Sequence, residues 1–515
     1  MTKNLFLKWM LPTLLVLPPA MSAQAAGKDA ATKKVQKPKT AAAQPSETKN
    51  IAHPRLERDP VITQVMKDVS PERIQKTIEK LVSFGTRSTL SVNNPGAAAS
   101  DRGIVAARNW IKSEFERYSA DCGGCLSVMT DTFIEKPRNP SEAAKDLPEG
   151  STDTSDRIKE PTELQNVYAI LRGSDPAQAS RIYLVTGHYD SRNSDNFNST
   201  DAAPGANDDG SGTAVSLECA RVLSKHRFPA TLIFLTVAGE EQGLRGSGHF
   251  AKMVKAEQWK LEGVLNNDIV GGNHTPGDTK QNPNWVRVFS EGLPAVASEA
   301  QLRAIRSMGS ENDSTSRQLA RYIREVGDTY HFGQFTPKLI FRRDRYLRGG
   351  DHSAFNDQGF AAIRFTEYRE DYNHQHQNVR MEKGVEYGDL PKFVDFNYVG
   401  NVARLNAATL ASLAMAPPPP AKVKLLTRVL ENDSKIEWEA VPGATAYEVL
   451  WRKTTDAEFA SENTMRTTET KVDFDQSKDN VIFGVRSIGP KGHRSLVVTP
   501  AAERATRAGT PDANR

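Results

Sequence analysis

The sequence predicts an α/β protein with a mostly parallel mixed sheet flanked by helices, followed by a small all-β sandwich. Short apolar runs at Asn166 to Leu171, Ile182 to Val185, Leu232 to Val237, Val264 to Leu265, Lys338 to Phe341 and Phe360 to Phe365 alternate with segments of helical spacing. Acids or histidines stand just past several of these runs. After Pro417 to Pro420 the pattern changes to short strands separated by turn residues.

The chain has 515 residues, 38% hydrophobic and 25% charged, which is ordinary globular composition with room for more than one domain. Residues 1–25 carry Lys3 and Lys8, an apolar run from Trp9 to Ala20 and the small-x-small site Ala23-Gln24-Ala25. They are expected to be a secretory signal peptide, too short and too proline-interrupted to span a membrane. Residues 26–52, rich in Ala, Lys, Thr, Pro and Gln, read as a disordered linker or pro-segment. These two segments carry about +6 against the chain's formal +4, which leaves about −2 for residues 40–515, so nucleic-acid binding is not expected. The peptide chain from 53 to 415 carries the α/β pattern, 416–421 is a proline-rich linker, 422–503 the sandwich and 504–515 a disordered tail.

Ser70 caps a helix opened by Pro71, with Ile74, Ile78, Leu81 and Val82 on one face, and a second helix runs from about Asp101 to Tyr118. Cys122 and Cys125 are expected to close a local disulfide in an exported chain, while Cys219 reads as a buried small hydrophobe. A last helix runs from about Phe396 to Leu413. In the C-terminal part, Lys435 to Trp438, Ala446 to Trp451, Val481 to Ile488 and Leu496 to Thr499 read as strands. Trp438, Tyr447 and the VRSIGPKGHRS turn resemble a fibronectin type III domain.

The stretch from His188 to Glu241 holds the chemistry. It reads VTGHYDS, PGANDDGSG and LIFLTVAGEEQG, placing His188 and Asp190 at the end of one strand and Glu240 and Glu241 past the next. Asp208 and Asp209 lie on a loop opening the helix from Thr213 to Leu223, and Asp268 follows a third strand. In open α/β sheets ligands bind outside the carboxyl ends of the strands, where all of these groups converge. Zinc takes His nitrogen and carboxylate oxygen. A two-metal site, with its ions about 3.5 to 4 Å apart, needs a shared carboxylate and further ligands on both sides. Of two adjacent glutamates, one can bind metal while the other stays free as a base, and Asp190 is placed to hold the His188 imidazole.

The motifs HYDS, PGANDDGSG, GEEQGLRGS, NND and GGDHSAF together resemble the secreted zinc exo-aminopeptidases, family twenty-eight of the metallopeptidases, over residues 70 to 414. The resemblance is to bacterial, leucyl-type enzymes. It implies a zinc-peptidase fold with two zinc ions, held by His188, Asp208 as bridge, Glu241, Asp268 and His374, with Glu240 as general base. His376 is a rival to His374. The family places an acid four residues after this histidine and a tyrosine before it, where His374 has Asn378 and Asn373, with Tyr372 one position further back. The resemblance also implies a cis bond between Asp208 and Asp209. His352 is a candidate wall residue, and one of Arg342, Arg343, Arg345 and Arg348 a candidate to face the substrate. The implied substrate is a peptide or protein N-terminus, acted on by a monomer in the periplasm or medium. A carboxypeptidase, a single-zinc glutaminyl cyclase and a non-catalytic surface binding protein are the alternatives.

Overall fold

The computed structural model describes residues 58–139, 156–272, 275–330, 335–346, 348–429 and 431–503. The signal peptide, the linker from 26 to 52 and the tail from 504 lie outside the described residues. The described residues form one compact unit.

In chain order the elements are α1 Pro60–Asp68, α2 Pro71–Ser83, α3 Gly103–Asp121, β1 Leu126–Glu135, β2 Thr162–Leu171, β3 Arg181–His188, α4 Gly210–Leu223, β4 Thr231–Val237, α5 Arg245–Ala256 and β5 Lys260–Asn267. They continue with β6 Trp285–Ser290, α6 Glu299–Met308, α7 Thr315–Tyr330, β7 Thr336–Ile340, α8 Asp351–Asn356, β8 Ala362–Glu367, the hairpin β9 Arg380–Glu382 and β10 Val385–Tyr387, and α9 Phe396–Met415. Ser70 caps α2 through its hydroxyl, which accepts from the Arg73 amide, and Asp59 does the same for α1 ahead of Pro60. Cys122 and Cys125 form the expected disulfide, and Cys219 is buried.

Eight strands form one sheet in the order β1-β2-β4-β3-β5-β8-β6-β7. Its centre, from β4 through β3 and β5 to β8, is parallel, while β1, β2 and the β6–β8 pairing are antiparallel. The central strand β4 is buried along its whole length, which is why it reads as an unbroken apolar run. One face packs on helices α1 to α4, α7 and α9, and the other on α5 and α8.

The three strands that carry most candidate ligands, β4, β3 and β5, are neighbours, and their carboxyl ends lie on one edge. Two glycines let the acidic loop descend between them. A Cβ on Gly187 would lie 2.3 Å from the Gly212 carbonyl carbon, and one on Gly212 would lie 2.1 Å from the Asn267 oxygen. Any side chain at either position would push the loop off the strand ends.

At the C-terminus, β11 Lys424–Leu425, β12 Ser434–Glu437, β15 Lys471–Phe474 and β17 Ala501–Ala502 form one small sheet; β13 Ala446–Lys453, β14 Thr464–Thr467 and β16 Val481–Ile488 form another. Ile436, Trp438, Val449 and Phe483 share a core between them. The strand expected at Leu496 to Thr499 does not form. Val498 makes one isolated bridge to Val485, and Pro500, which cannot donate to a ladder, precedes the short β17.

The proline-rich segment does not run free. Ala416, Pro417 and Pro420 are buried, Arg181 donates to the Ala416 carbonyl at 2.7 Å and Ser487 to the Pro418 carbonyl at 2.6 Å. Buried ion pairs continue the contact: Arg452 reaches both oxygens of Asp313 at 2.8 Å, and Arg486 bridges Glu325 at 2.5 Å and Glu448 at 2.7 Å. Burial works against the charge on Glu448, but Arg486 and Arg494 more than offset it and hold the carboxyl at about 2. Its contribution to stability is therefore fully present above the unfolded value of 4.5 and is lost as pH falls toward 2. Glu448→Gln is expected to cost about 3 kcal/mol at pH 7. In calorimetric melts the Tm gap between variant and wild type should narrow between pH 5 and pH 2; a gap independent of pH contradicts this.

Candidate metal centre

His188 is the last residue of β3 and is held at both its backbone and its ring. Its backbone amide donates to Asp209 Oδ2 at 2.9 Å, and its Nδ1 lies 3.1 Å from the Asp190 carbonyl and 3.3 Å from Asp190 Oδ1. Asp190 also accepts from the backbone amides of Glu240 at 3.3 Å and Glu241 at 3.2 Å and from the Thr89 hydroxyl at 3.2 Å. One buried carboxylate thus fixes both the imidazole and the glutamate pair.

Asp208 and Asp209 are joined by a cis peptide bond. Asp209 caps α4, accepting from the Gly212 amide at 2.8 Å, so it serves the loop and not the cluster of ligand atoms. The Asp208 amide is held by Asp389 Oδ2 at 2.7 Å, with the Asn207 amide on the same carboxyl. Asp208 then presents one oxygen to each side. Its Oδ1 is 3.2 Å from His188 Nε2, and its Oδ2 is 2.8 Å from His376 Nε2.

Two groups of metal-ligating side chains result: His188 with Glu240 and Asp268, and Asp208 with Glu241 and His376, the ligand atoms within 4.8 Å of one another in each group. The geometry corrects one expectation. His374 is in neither group; its ring stacks on Phe393 at 3.7 Å and its Nδ1 faces Asp371 at 3.5 Å. His376, with φ 56, is turned toward Asp208 and lies 2.9 Å from Glu241 Oε1. A two-residue step around a turn reverses the direction of the side chain, and periodicity cannot foresee that.

Tyr372 is 63% exposed and reaches only Arg348, 3.4 Å away, so it does not line the cluster. His352 is fully buried, with Nε2 2.9 Å from the Arg343 carbonyl, and burial pushes it down to about 4, so it stays neutral as a structural residue. Among the loop arginines, Arg345 and Arg348 pair with Glu370 at 3.0 and 2.8 Å, and Arg343 with Asp357 at 2.5 Å.

Several site residues escaped the sequence reading. Arg364 on β8, fully buried, pairs with Asp268 at 2.8 Å and Asp344 at 3.3 Å. Its register partner on β5 is Asn266, one pleat below Asp268, so its long side chain runs up the sheet to the ligand row. An arginine in a buried strand position was the only available signal. Arg192 holds Glu241 Oε2 at 2.7 Å and His376 Nδ1 at 2.5 Å, locking the second group from outside. Asp351 at the start of α8 is fully buried, and burial, together with Asp268 and Asp190, raises it to about 7. Ile269, just after Asp268, takes φ 60, which a β-branched residue adopts only under constraint. Its carbonyl accepts from the Glu367 amide at 2.8 Å.

Burial is also the largest influence on Glu240; with Asp268, Glu241 and Asp351 nearby, it raises this carboxyl well above the ordinary range despite His188. His376 moves the other way. Burial would lower it, but Glu241 and Asp208 hold it up at about 10. The donor set itself fits a metal such as zinc, with imidazole nitrogens and carboxylate oxygens only. Two of these atoms, His188 Nε2 and Glu241 Oε1, are buried and make no hydrogen bond although acceptors and donors stand near them. Lone pairs that converge without hydrogen bonds suit a cation.

Comparison with known proteins agrees. The model of peptidase family M28 matches residues 166–383. A Pyrenophora teres protein named a probable zinc metalloprotease is 42% identical over 450 residues, covering 86% of this chain and 87% of its own length. The chain belongs to peptidase family M28. A Pyricularia oryzae protein of the same name is 43% identical over 442 residues, covering 84% and 83% of the two chains. These M28 relatives are fungal, not the bacterial enzymes expected from the motifs. Among solved structures, the LapA aminopeptidase of Legionella pneumophila aligns over 70% of this chain and 76% of its own at 20% identity and TM-score 0.46. The glutaminyl cyclase of Fimbriiglobus ruber aligns over 67% and 95% at 18% identity and TM-score 0.43.

Proposed function

We propose that this M28 protein is a di-zinc aminopeptidase that hydrolyses the first peptide bond of peptides. One observation carries the reading: Asp208 turns one oxygen to His188 and the other to His376, so a single carboxylate stands between two ligand groups. His188 and Asp268 would hold one zinc and Glu241 and His376 the other, with Asp208 shared. When bound, the ions supply Lewis acidity at the scissile carbonyl. A cyclase with one zinc has no use for the second group, and a binding protein has no use for Glu240.

Glu240 does the proton work. It sits beside Asp268 and Glu241, and as a carboxylate it can take a proton from water and return it to the leaving amine. As water attacks the carbonyl carbon, its proton passes to Glu240; as the C–N bond breaks, the same proton passes to the departing nitrogen. Asp190 keeps Glu240 in place through the backbone, and Arg364 keeps Asp268 from rotating away.

We further propose that residues 1–25 direct export; no helix among the described residues is long and apolar enough to cross a membrane. The four-stranded and three-stranded C-terminal sheets and their shared core support a fibronectin type III-like organisation. The activity is tested with free and N-acetylated aminoacyl-p-nitroanilides, with and without a chelator. Cleavage of free-amine substrates only, lost on chelation and regained with zinc, is expected. Cleavage of the acetylated series, or activity that survives chelation, overturns the reading.

A further inference from the structure

Beside the metal groups lies a cavity of about 20 Å³, whose walls include Asp208, Ile269, Glu367, Asp371, Gln375 and Phe393. Its position follows from the chain. Ile269 succeeds Asp268, Gln375 precedes His376, and Asp208 is the carboxylate between the groups, so the cavity adjoins both. Other sides of the ligand row are filled. At Asp268 a Cβ on Gly350 would already meet Arg364 Nη1 at 2.6 Å, and at Glu241 the Arg192 guanidinium lies against Oε2 and against the His376 ring. A substrate residue whose carbonyl stands at the metals therefore turns its side chain into this cavity.

The walls are tied to one another and cannot swing aside. Gln375 Nε2 donates to Asp208 Oδ2 at 3.1 Å, and Glu367 Oε2 accepts from Asn207 Nδ2 at 2.8 Å and from the Gly272 amide at 2.5 Å. Asp371 Oδ1 accepts from the Asn373 amide at 2.9 Å, while its Oδ2 faces His374 Nδ1 at 3.5 Å. The His374 ring stacks in turn on Phe393, 3.7 Å away.

With its carboxyl groups engaged in this way, the cavity discriminates by size rather than by charge. Its volume is that of about one water molecule, and a methyl group is close to the same size. A hydrogen or a methyl enters without moving a wall. Each further carbon must push against a hydrogen-bonded or stacked side chain, and close-packed walls of that kind resist even one added methylene.

We propose that this cavity selects substrates whose N-terminal residue is small, glycine or alanine, with Ile269 and Phe393 excluding longer side chains. This rests on the aminopeptidase reading and narrows it away from the leucyl-type preference.

The test compares alanyl- and leucyl-p-nitroanilide, which share the α-ammonium and the leaving group and differ only in the length of the side chain. Wild-type kcat/KM is expected to favour the alanyl substrate by about a hundredfold or more. Phe393→Ala should reduce that ratio at least severalfold by admitting leucine, and Phe393→Leu, which keeps more of the wall and perturbs folding less, should reduce it by a smaller factor. Val429→Ala, at an exposed position of the C-terminal part, is a control that should leave the ratio alone. Calorimetric titration of the zinc-loaded protein with alanine amide and leucine amide gives the same comparison without turnover. If neither nitroanilide is cleaved, the aminopeptidase reading fails while the titration still decides the subsite. Equal or better handling of leucine by the wild type in either assay overturns the proposal, as does a ratio unmoved by both Phe393 variants.

Discussion

Glu240→Gln is expected to keep its metal and lose its activity, with kcat falling by about a thousandfold or more and KM nearly unchanged. Glutamine preserves the size and most of the contacts of the side chain but cannot accept a proton from water. The backbone at this position is fixed by Asp190, which does not depend on the Glu240 side chain, so the neighbouring Glu241 should stay in place. The ligand group of His188, Glu240 and Asp268 offers the competing possibility that Glu240 is itself a ligand. The two roles separate cleanly in metal content: a base leaves the zinc count intact, whereas a ligand takes an ion with it. Metal analysis and steady-state kinetics on the same preparation decide between them. A variant within tenfold of wild type would show that neither role is filled by Glu240.

The second large effect distinguishes the two histidines of the YNHQHQN turn. His376→Ala removes the nitrogen that faces both Asp208 and Glu241, and it takes from Arg192 one of its partners in the second group. Loss of about one zinc per chain and of about three orders of magnitude in kcat/KM is expected. His374→Ala removes a ring stacked on Phe393, a contact worth about 1 kcal/mol. That variant should bind zinc like the wild type, with a lower Tm. If the outcomes are exchanged, the turn takes a different course when metal is present and the ligand set must be redrawn around His374.

These two histidines also mark where sequence reading stops. The strands that carry His188, Glu240 and Asp268 were legible because each is an apolar run ended by glycine or polar residues. Burial on both faces leaves that trace in any sequence. Asp208 was legible because its loop is too rich in Gly, Asn and Asp to be anything else, and its carboxyl edge position follows from the α/β pattern. The choice between His374 and His376 depends on a turn with a residue at positive φ, and no periodic signal specifies it. Spacing rules borrowed from the family failed there too, since neither histidine is followed four residues later by an acid.

Arg364 and Arg192 were invisible for another reason. Both act on ligands distant in sequence, and their positions follow from strand register and loop packing rather than local pattern. The last expected strand failed because a run of β-branched residues was read without the proline that ends it. The C-terminal sheets were expected to hang from a stiff linker. Instead Asp313 and Glu325 bind them through Arg452 and Arg486, pairs that sequence had no means of finding.

The central claim is that Asp208 joins two zinc ions. The most direct measurement is a crystal structure of zinc-loaded protein with diffraction recorded on both sides of the zinc absorption edge. Two anomalous peaks flanking Asp208 are expected, about 3.5 Å apart, one against His188 and Asp268 and the other against Glu241 and His376. A single peak, or a pair that leaves Asp208 outside both coordination shells, would contradict the account.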